Sequence, residues 1–202
     1  MNTFTLPTVA LPTVALLAAG LLGGLAGCAP AAPPPAHHAS SPAAPAAGDV
    51  NDADVAFTQG MIPHHQQAIE LSDLLLAKDS VDPELVTLAR AIKAAQQPEI
   101  DTMTSWLADW GRPATPSGHQ GHGESDGGMA TAADLERIRA SDTAAAERLF
   151  LTLMIAHHEG AVGMGETELK QGRNPAAREL AQTIIDTQQA EITTMKELLQ
   201  TR

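Results

Sequence analysis

Cysteine is nearly absent from this 202-residue chain: Cys28 is the only one, so no internal disulfide can form. Tyrosine is missing and phenylalanine occurs three times, which leaves an aliphatic core of the kind small helical bundles build. Basic residues are sparse too. The first is Lys78, and the formal net charge is −12. That balance argues against a nucleic-acid surface and against a basic patch for anionic membranes. There is no His-Glu-x-x-His and no second cysteine to support hydrolytic chemistry, and the protein is expected not to be an enzyme.

Charge is also missing from the whole of residues 1–28. Within them, Val14-Ala15-Leu16-Leu17-Ala18-Ala19-Gly20-Leu21-Leu22 forms the apolar core of an export signal. It ends in Leu25-Ala26-Gly27-Cys28, which resembles a bacterial lipobox, whose cysteine is lipidated and becomes the first residue after cleavage. The segment Met1–Thr5 departs from that pattern in carrying no Lys or Arg. Pro12 and several glycines interrupt the stretch, which reads as a signal rather than a span of ~20 apolar residues. Residues 29–51 are rich in Pro and Ala, lack an apolar period, and read as a tether. The expected product is an exported lipoprotein of the cell envelope, held at the membrane by Cys28.

What is abundant is repetition. Met61-Ile62-Pro63-His64-His65-Gln66-Gln67-Ala68-Ile69 returns as Met154-Ile155-Ala156-His157-His158-Glu159-Gly160-Ala161-Val162, 93 residues later. Gln96-Gln97-Pro98-Glu99-Ile100-Asp101-Thr102-Met103 returns as Gln188-Gln189-Ala190-Glu191-Ile192-Thr193-Thr194-Met195, 92 residues later. Two motifs in one order at nearly one offset read as an internal duplication. Asn51 or Asp52 caps a helix reaching about Lys78, Asp82-Pro83-Glu84 starts the next, and Gly111 stops it. In the second copy a helix runs from near Asp142 to Gly172, and Asn174-Pro175 opens the last. Residues 52–110 and 131–202 are thus two helical hairpins, the second preceded by a short helix from Thr131. Residues 111–130, with His119 and His122, read as a flexible Gly/His-rich linker. Pro63 and Pro98 are alanine in the second copy, so the shared backbone is expected to be continuous helix with local kinks in the first. The predicted fold is an all-α four-helix bundle.

Val55, Ile62, Ile69 and Leu76 recur every seven residues and mark an apolar stripe on the first helix. At ~100° per residue, His65 lies nearer that stripe and His64 on its flank, and Met154, His157 and His158 repeat the arrangement. On the partner helices, Ile92, Gln96, Glu99, Met103, Trp106 and Trp110 form a core stripe with polar members, repeated as Ile184, Gln188, Glu191 and Met195. A polar side chain in a core costs a few kcal/mol without a partner. These groups must therefore meet the histidines, one another or a metal.

Two readings remain open from the residues alone. Imidazole and thioether on one helical turn make a soft metal site favouring Cu(I). Alternatively the methionines fill core gaps, and His65 and His158 are structural, bonded to Glu99 and Glu191. The loose histidines His37, His38, His119 and His122 define no fixed geometry but suit metal handling. A di-iron oxidase is poorly matched, because none of the eight histidines follows a Glu by three positions.

The doubled Met-x-x-His-His-x-x-Ala and Gln-x-x-Glu-Ile-x-x-Met patterns resemble the bacterial domain-of-unknown-function 305 family over about residues 50–202. The resemblance implies a ferritin-like four-helix fold, export to the envelope and, for some members, periplasmic copper binding through Met and His. By matching position it implicates Met61, His64, His65, Met103, Met154, His157, His158, Met164 and Met195 as metal ligands. The core stripes place Gln96, Glu99, Gln188 and Glu191 behind them. Leu71 departs from the pattern, standing where the second copy has Met164, so the stronger site is expected in the second copy. Because imidazole must be neutral to ligate, binding is expected to weaken below about pH 6. No protein partner can be read from the residues.

Overall fold

A computed structural model describes residues 50–114 and 126–202. Cys28, the export signal, nearly all of the tether with His37 and His38, and the linker histidines His119 and His122 lie outside the described residues. Five α-helices follow in order: α1 (Asp52–Leu76), α2 (Pro83–Asp109), α3 (Ala132–Ala140), α4 (Thr143–Gln171) and α5 (Pro175–Gln200). A 3-10 turn, Asp126–Gly128, precedes α3.

The helix starts are set by the capping residues legible in the sequence. Asn51 Oδ1 accepts the N–H groups of Ala53 and Asp54 at 2.9 and 3.0 Å, while the Asn51 N–H donates to Asp54 Oδ2 at 2.6 Å. Thr131 and Asp134 repeat this reciprocal box at α3. Asp82, Asp142 and Asn174 cap α2, α4 and α5, with Pro83 and Pro175 at the first helical position, where a missing N–H removes no bond. Each such cap is worth about 0.5–2 kcal/mol. Both α1 and α2 run unbroken through Pro63 and Pro98, which lie on their exposed faces.

Helices α1 and α2 pack as one hairpin, α4 and α5 as another, and the two join along an α1–α4 seam. Two apolar clusters fill the interior. One gathers Ala68, Leu71 and Leu75 of α1 with Leu85, Phe150, Leu151, Met154 and Met195. The other gathers Val55, Phe57, Met61 and Ile62 with Ile100, Met103, Leu107 and Ile184. The C-terminal half of α1 thus faces the N-terminal half of α4, and the pair is antiparallel. His64, His65, His157 and His158 fall between the clusters on both helices, so a polar layer divides two cores. The heptad stripe is only the edge of α1's buried face. Ile69 and Leu76 are half-exposed, whereas Met61, His65, Ala68, Leu71, Ser72 and Leu75 are buried. Small side chains at Ala68 and Ser72 are part of that buried face, and a hydrophobic period does not register them.

A second polar joint closes one end of the bundle. Asp54 Oδ1 accepts the N–H groups of Arg173 and Asn174, both at 2.8 Å, tying α1 to the α4–α5 turn. Burial raises the Asp54 carboxyl, but the Asn51, Asn174 and Arg173 N–H groups outweigh it and hold Asp54 below the usual range. Beside it, burial and the Asp54 carboxylate push Glu168 up to about 8. Among the described residues no helix is long and apolar enough to cross a membrane.

Candidate metal centre

The His-His pair of α1 and that of α4 meet at the middle of the seam. All four rings are buried, and His64, placed on the flank by helical geometry alone, is only 2% exposed. Its ring lies against that of His157, with centroids 3.7 Å apart and planes tilted by 39°. The next pair, His157 and His158, is separated by 6.3 Å.

Three of the four imidazoles share one hydrogen-bonding pattern. His65 Nε2–H donates to Glu99 Oε2 of α2, and His158 Nε2–H to Glu191 Oε2 of α5, both at 2.7 Å. His64 Nε2–H donates to the Gly127 carbonyl at 2.8 Å. A carboxylate or carbonyl oxygen only accepts, so the proton sits on Nε2 and a lone pair remains on Nδ1. The Nδ1 atoms of His64, His65 and His158 are buried and have no hydrogen-bond partner among the described residues, and neither does either nitrogen of His157. Leaving one such group unmade costs about 1–3 kcal/mol. Five in one layer, with both amide atoms of Gln96 and Oε1 of Gln188 beside them, mark a place whose polar groups serve something other than the fold. A carboxylate behind an imidazole whose other nitrogen is free is how proteins orient metal-ligating histidines.

Two of the rings, His64 and His157, are held neutral. Burial pushes His64 down to about 4, aided by the charges that His65 and His158 would carry, against the pull of the Gly127 carbonyl. Burial first, then the neighbouring imidazoles, lowers His157 well below 6.5. At pH 7 a group with a pKa near 4 is protonated about once in a thousand molecules. On His64 and His157 the lone pairs therefore persist as the pH falls below 6.5, because burial disfavours the cation before any metal competes for it.

Sulfur lies in both clusters that flank the layer. Met61 and Met103 belong to one apolar cluster, Met154 and Met195 to the other, and all four are fully buried. Met164 differs. It reaches from α4 toward α1, its Cε 2.9 Å from where a Cβ on Gly60 would stand. Its Sδ and His64 Cδ2 each lie 4.0 Å from the Cβ position of Gly127. Met164 also lines a cleft of about 220 Å³ between α1 and α4, with Phe57 and Glu168. The structure thus brings together His64, His157 and Met164, with His65 and His158 adjacent, and sets the other four methionines above and below. Among the described residues no three His, Cys, Asp or Glu side chains group as a metal cage. Any ion held here would draw on thioethers as well as imidazoles.

Residues 127–130, part of the segment read from sequence as flexible linker, instead dock on this layer. Gln67 makes two bonds to Ala130, Oε1 accepting its N–H at 2.7 Å and Nε2 donating to its carbonyl at 2.9 Å. Gly127 and Gly128 have φ of 74° and 73°, which favours glycine at both. Gln67, Gly127, Gly128 and Gly160 escaped the sequence reading. A signal existed: Gln67 and Gly160 are equivalent positions in the two copies, beside the otherwise shared His-His pair.

The site is a buried Met/His layer inside an all-helical bundle of two antiparallel hairpins. The chain belongs to the domain-of-unknown-function family DUF305, whose model matches residues 54–199. A DUF305 protein from Streptomyces coelicolor, assigned as secreted, is 32% identical, with a TM-score of 0.67 over 73% of this chain and 91% of that one. A DUF305 fragment from Deinococcus radiodurans is also 32% identical, with a TM-score of 0.67 over 76% of this chain and 99% of that one. CopM in its Cu(I)-bound form is 32% identical, with a TM-score of 0.61 over 73% of this chain and 96% of that one. CopM is likewise similar in its Cu(II)-bound and Ag-bound forms. No curated protein matches the chain.

Proposed function

We propose that the protein binds copper, as Cu(I), at one site shared by its two halves, and stores or buffers the ion rather than transforming a substrate. The observation that carries this reading is the His64–His157 contact, with free, neutral ring nitrogens on both residues beside the Met164 thioether. Neutral imidazole and thioether are soft donors suited to Cu(I). His64, His157 and Met164 would supply the first donors, and Met61, Met154, Met103 and Met195 further sulfur. Glu99 and Glu191 would orient His65 and His158, with Gln96 and Gln188 lining the layer. The copper- and silver-bound forms of CopM support the metal. The Streptomyces relative assigned as secreted supports export, for which residues 1–28 supply the signal and Cys28 the point of lipid attachment at the cell envelope.

The second reading applies to His65 and His158 alone. Their short bonds to Glu99 and Glu191 would serve packing whether or not metal binds. For the enzymatic alternative, Gly123-Glu124-Ser125-Asp126-Gly127 does spell Gly-x-Ser-x-Gly. That motif works at a strand-to-helix turn, and no strand occurs among the described residues.

The test is the melting temperature of reduced, chelator-stripped protein with and without stoichiometric Ag(I) or Cu(I). A ligand at 100 times its Kd stabilises the fold by about 2.7 kcal/mol, a shift of several degrees. The proposal expects that shift, and its loss in a His64→Ala, His157→Ala double variant. No metal-linked shift in the unaltered protein would overturn it.

A further inference from the structure

We propose that the main-chain carbonyl of Gly127, seated by Gln67 and Gly160, is a positioning group that fixes the tautomer of His64 and so selects the nitrogen it offers to a metal. The inference deepens the copper reading and rests on it for its ligand.

Neutral imidazole carries one N–H and can place it on either nitrogen. Carboxylates from the partner helices settle the choice for His65 and His158, but none reaches His64. Its Nε2 meets the Gly127 carbonyl at 2.8 Å, in a turn that belongs to neither hairpin. Two features hold that turn down. Gln67 bonds both backbone groups of Ala130, as a neighbouring strand would, and pins the chain three residues after Gly127. Gly160 clears the space beneath it, since a Cβ there would stand 1.6 Å from the Gly127 oxygen. Gly128 lies equally flat on α4, its Cβ position 2.0 Å from the Ala156 carbonyl oxygen. Any larger residue at 128 or 160 lifts the turn and withdraws the carbonyl from His64.

Gln67 and Gly160 follow their His-His pairs at the same distance, so the two copies differ where the turn docks. One copy supplies the clamp and the other the clearance. The consequence is chemical asymmetry between equivalent histidines. Among the described residues His64 has a fixed Nε2–H and an unpartnered Nδ1, while neither ring nitrogen of His157 has a hydrogen-bond partner to fix its tautomer. A ligand whose tautomer is preset binds without first changing it, the same service a carboxylate behind a histidine performs.

The experiment compares the unaltered protein with Gly160→Ala and Gln67→Ala. Ring 15N NMR of the metal-free protein reads the tautomer of each histidine, and Ag(I) titration reads affinity. His64 should carry its proton on Nε2 in the unaltered protein and become a tautomer mixture in both variants. His65 and His158 should keep theirs, which reports an intact bundle. Ag(I) affinity should fall about tenfold, the scale of one buried hydrogen bond or of an outer-shell metal partner. An unaltered protein with the proton on Nδ1 would overturn the proposal, as would variants whose His64 tautomer and Ag(I) affinity do not change. If the unaltered protein binds no Ag(I), the copper reading falls, and the His64 tautomer in the two variants still decides this one.

Discussion

His64 and His157 occupy the same position in two repeats 93 residues apart, and their rings touch at 3.7 Å. The contact follows from the antiparallel α1–α4 seam, which carries the flank of each His-His pair into the other. The residues leave open whether the two copies form one site or two, and this contact puts both His-His pairs in one layer. Because the Gly127 turn bonds only His64, the two contacting rings are not chemically equivalent.

A shared site has a stoichiometric signature. Calorimetric titration of the unaltered protein with Ag(I) is expected to show one tight equivalent. His64→Ala and His157→Ala should each abolish it, and their effects should be strongly non-additive in the double variant. Two tight equivalents, with each single variant keeping one, would show instead that the copies bind independently.

Met164 can be tested apart from packing. Met164→Leu conserves volume, and such swaps usually cost less than about 1.5 kcal/mol. Urea midpoints should hardly move, whereas Cu(I) affinity should fall because the thioether is lost. Equal losses in stability and affinity would mark Met164 as a packing residue only.

Glu99→Gln and Glu191→Gln separate orientation from ligation. An amide can still accept the histidine N–H, but it is a weaker acceptor without the negative charge. Metal affinity should drop about 10- to 100-fold, as for other outer-shell partners, with helical content unchanged by circular dichroism. If only thermal stability drops, the His–Glu pairs serve the fold alone.

Stability of the metal-free protein should peak near pH 6.5. His64 titrates at about 4 rather than 6.5 when folded, and His157 is lowered too. Between those values the unfolded chain binds protons that the folded chain does not, so stability falls on acidification through that window. Glu168 has the opposite sign. Its folded pKa of about 8 exceeds 4.5, so its contribution is complete below 4.5 and is lost as pH rises through 8. Below pH 6.5 two histidines outweigh one carboxyl, and above it Glu168 dominates, at no more than about 1.4 kcal/mol per pH unit. Urea midpoints from pH 5 to 9 should therefore pass through a maximum, and Glu168→Gln should flatten the alkaline side. A monotonic rise to pH 9 in the unaltered protein would contradict the Glu168 assignment.

The helices and the His–Glu bonds were legible in the residues. Asn51, Asp82, Thr131, Asp142 and Asn174 announce their helix starts because capping is a local interaction within three residues. Glu99 and Glu191 announce themselves as partners of His65 and His158 because a polar residue on a core stripe needs a mate. The burial of His64 was not legible. Helical angles place it on the flank of α1 correctly, but they do not say what covers that flank.

By itself, the sequence determined that the protein is an all-helical bundle of two similar hairpins, with imidazole and thioether side chains on one turn of each. Those properties depend on periodicity, capping and residue chemistry, which act over a few positions. Only the tertiary structure decided that the two His-His pairs meet in one layer, that Met164 crosses to α1, and that Gly127 holds His64. Each depends on which helices pack and on how closely a turn approaches them. That closeness comes from the missing side chains of Gly60, Gly128 and Gly160, and an absence of atoms shows its use only once its neighbours are in place.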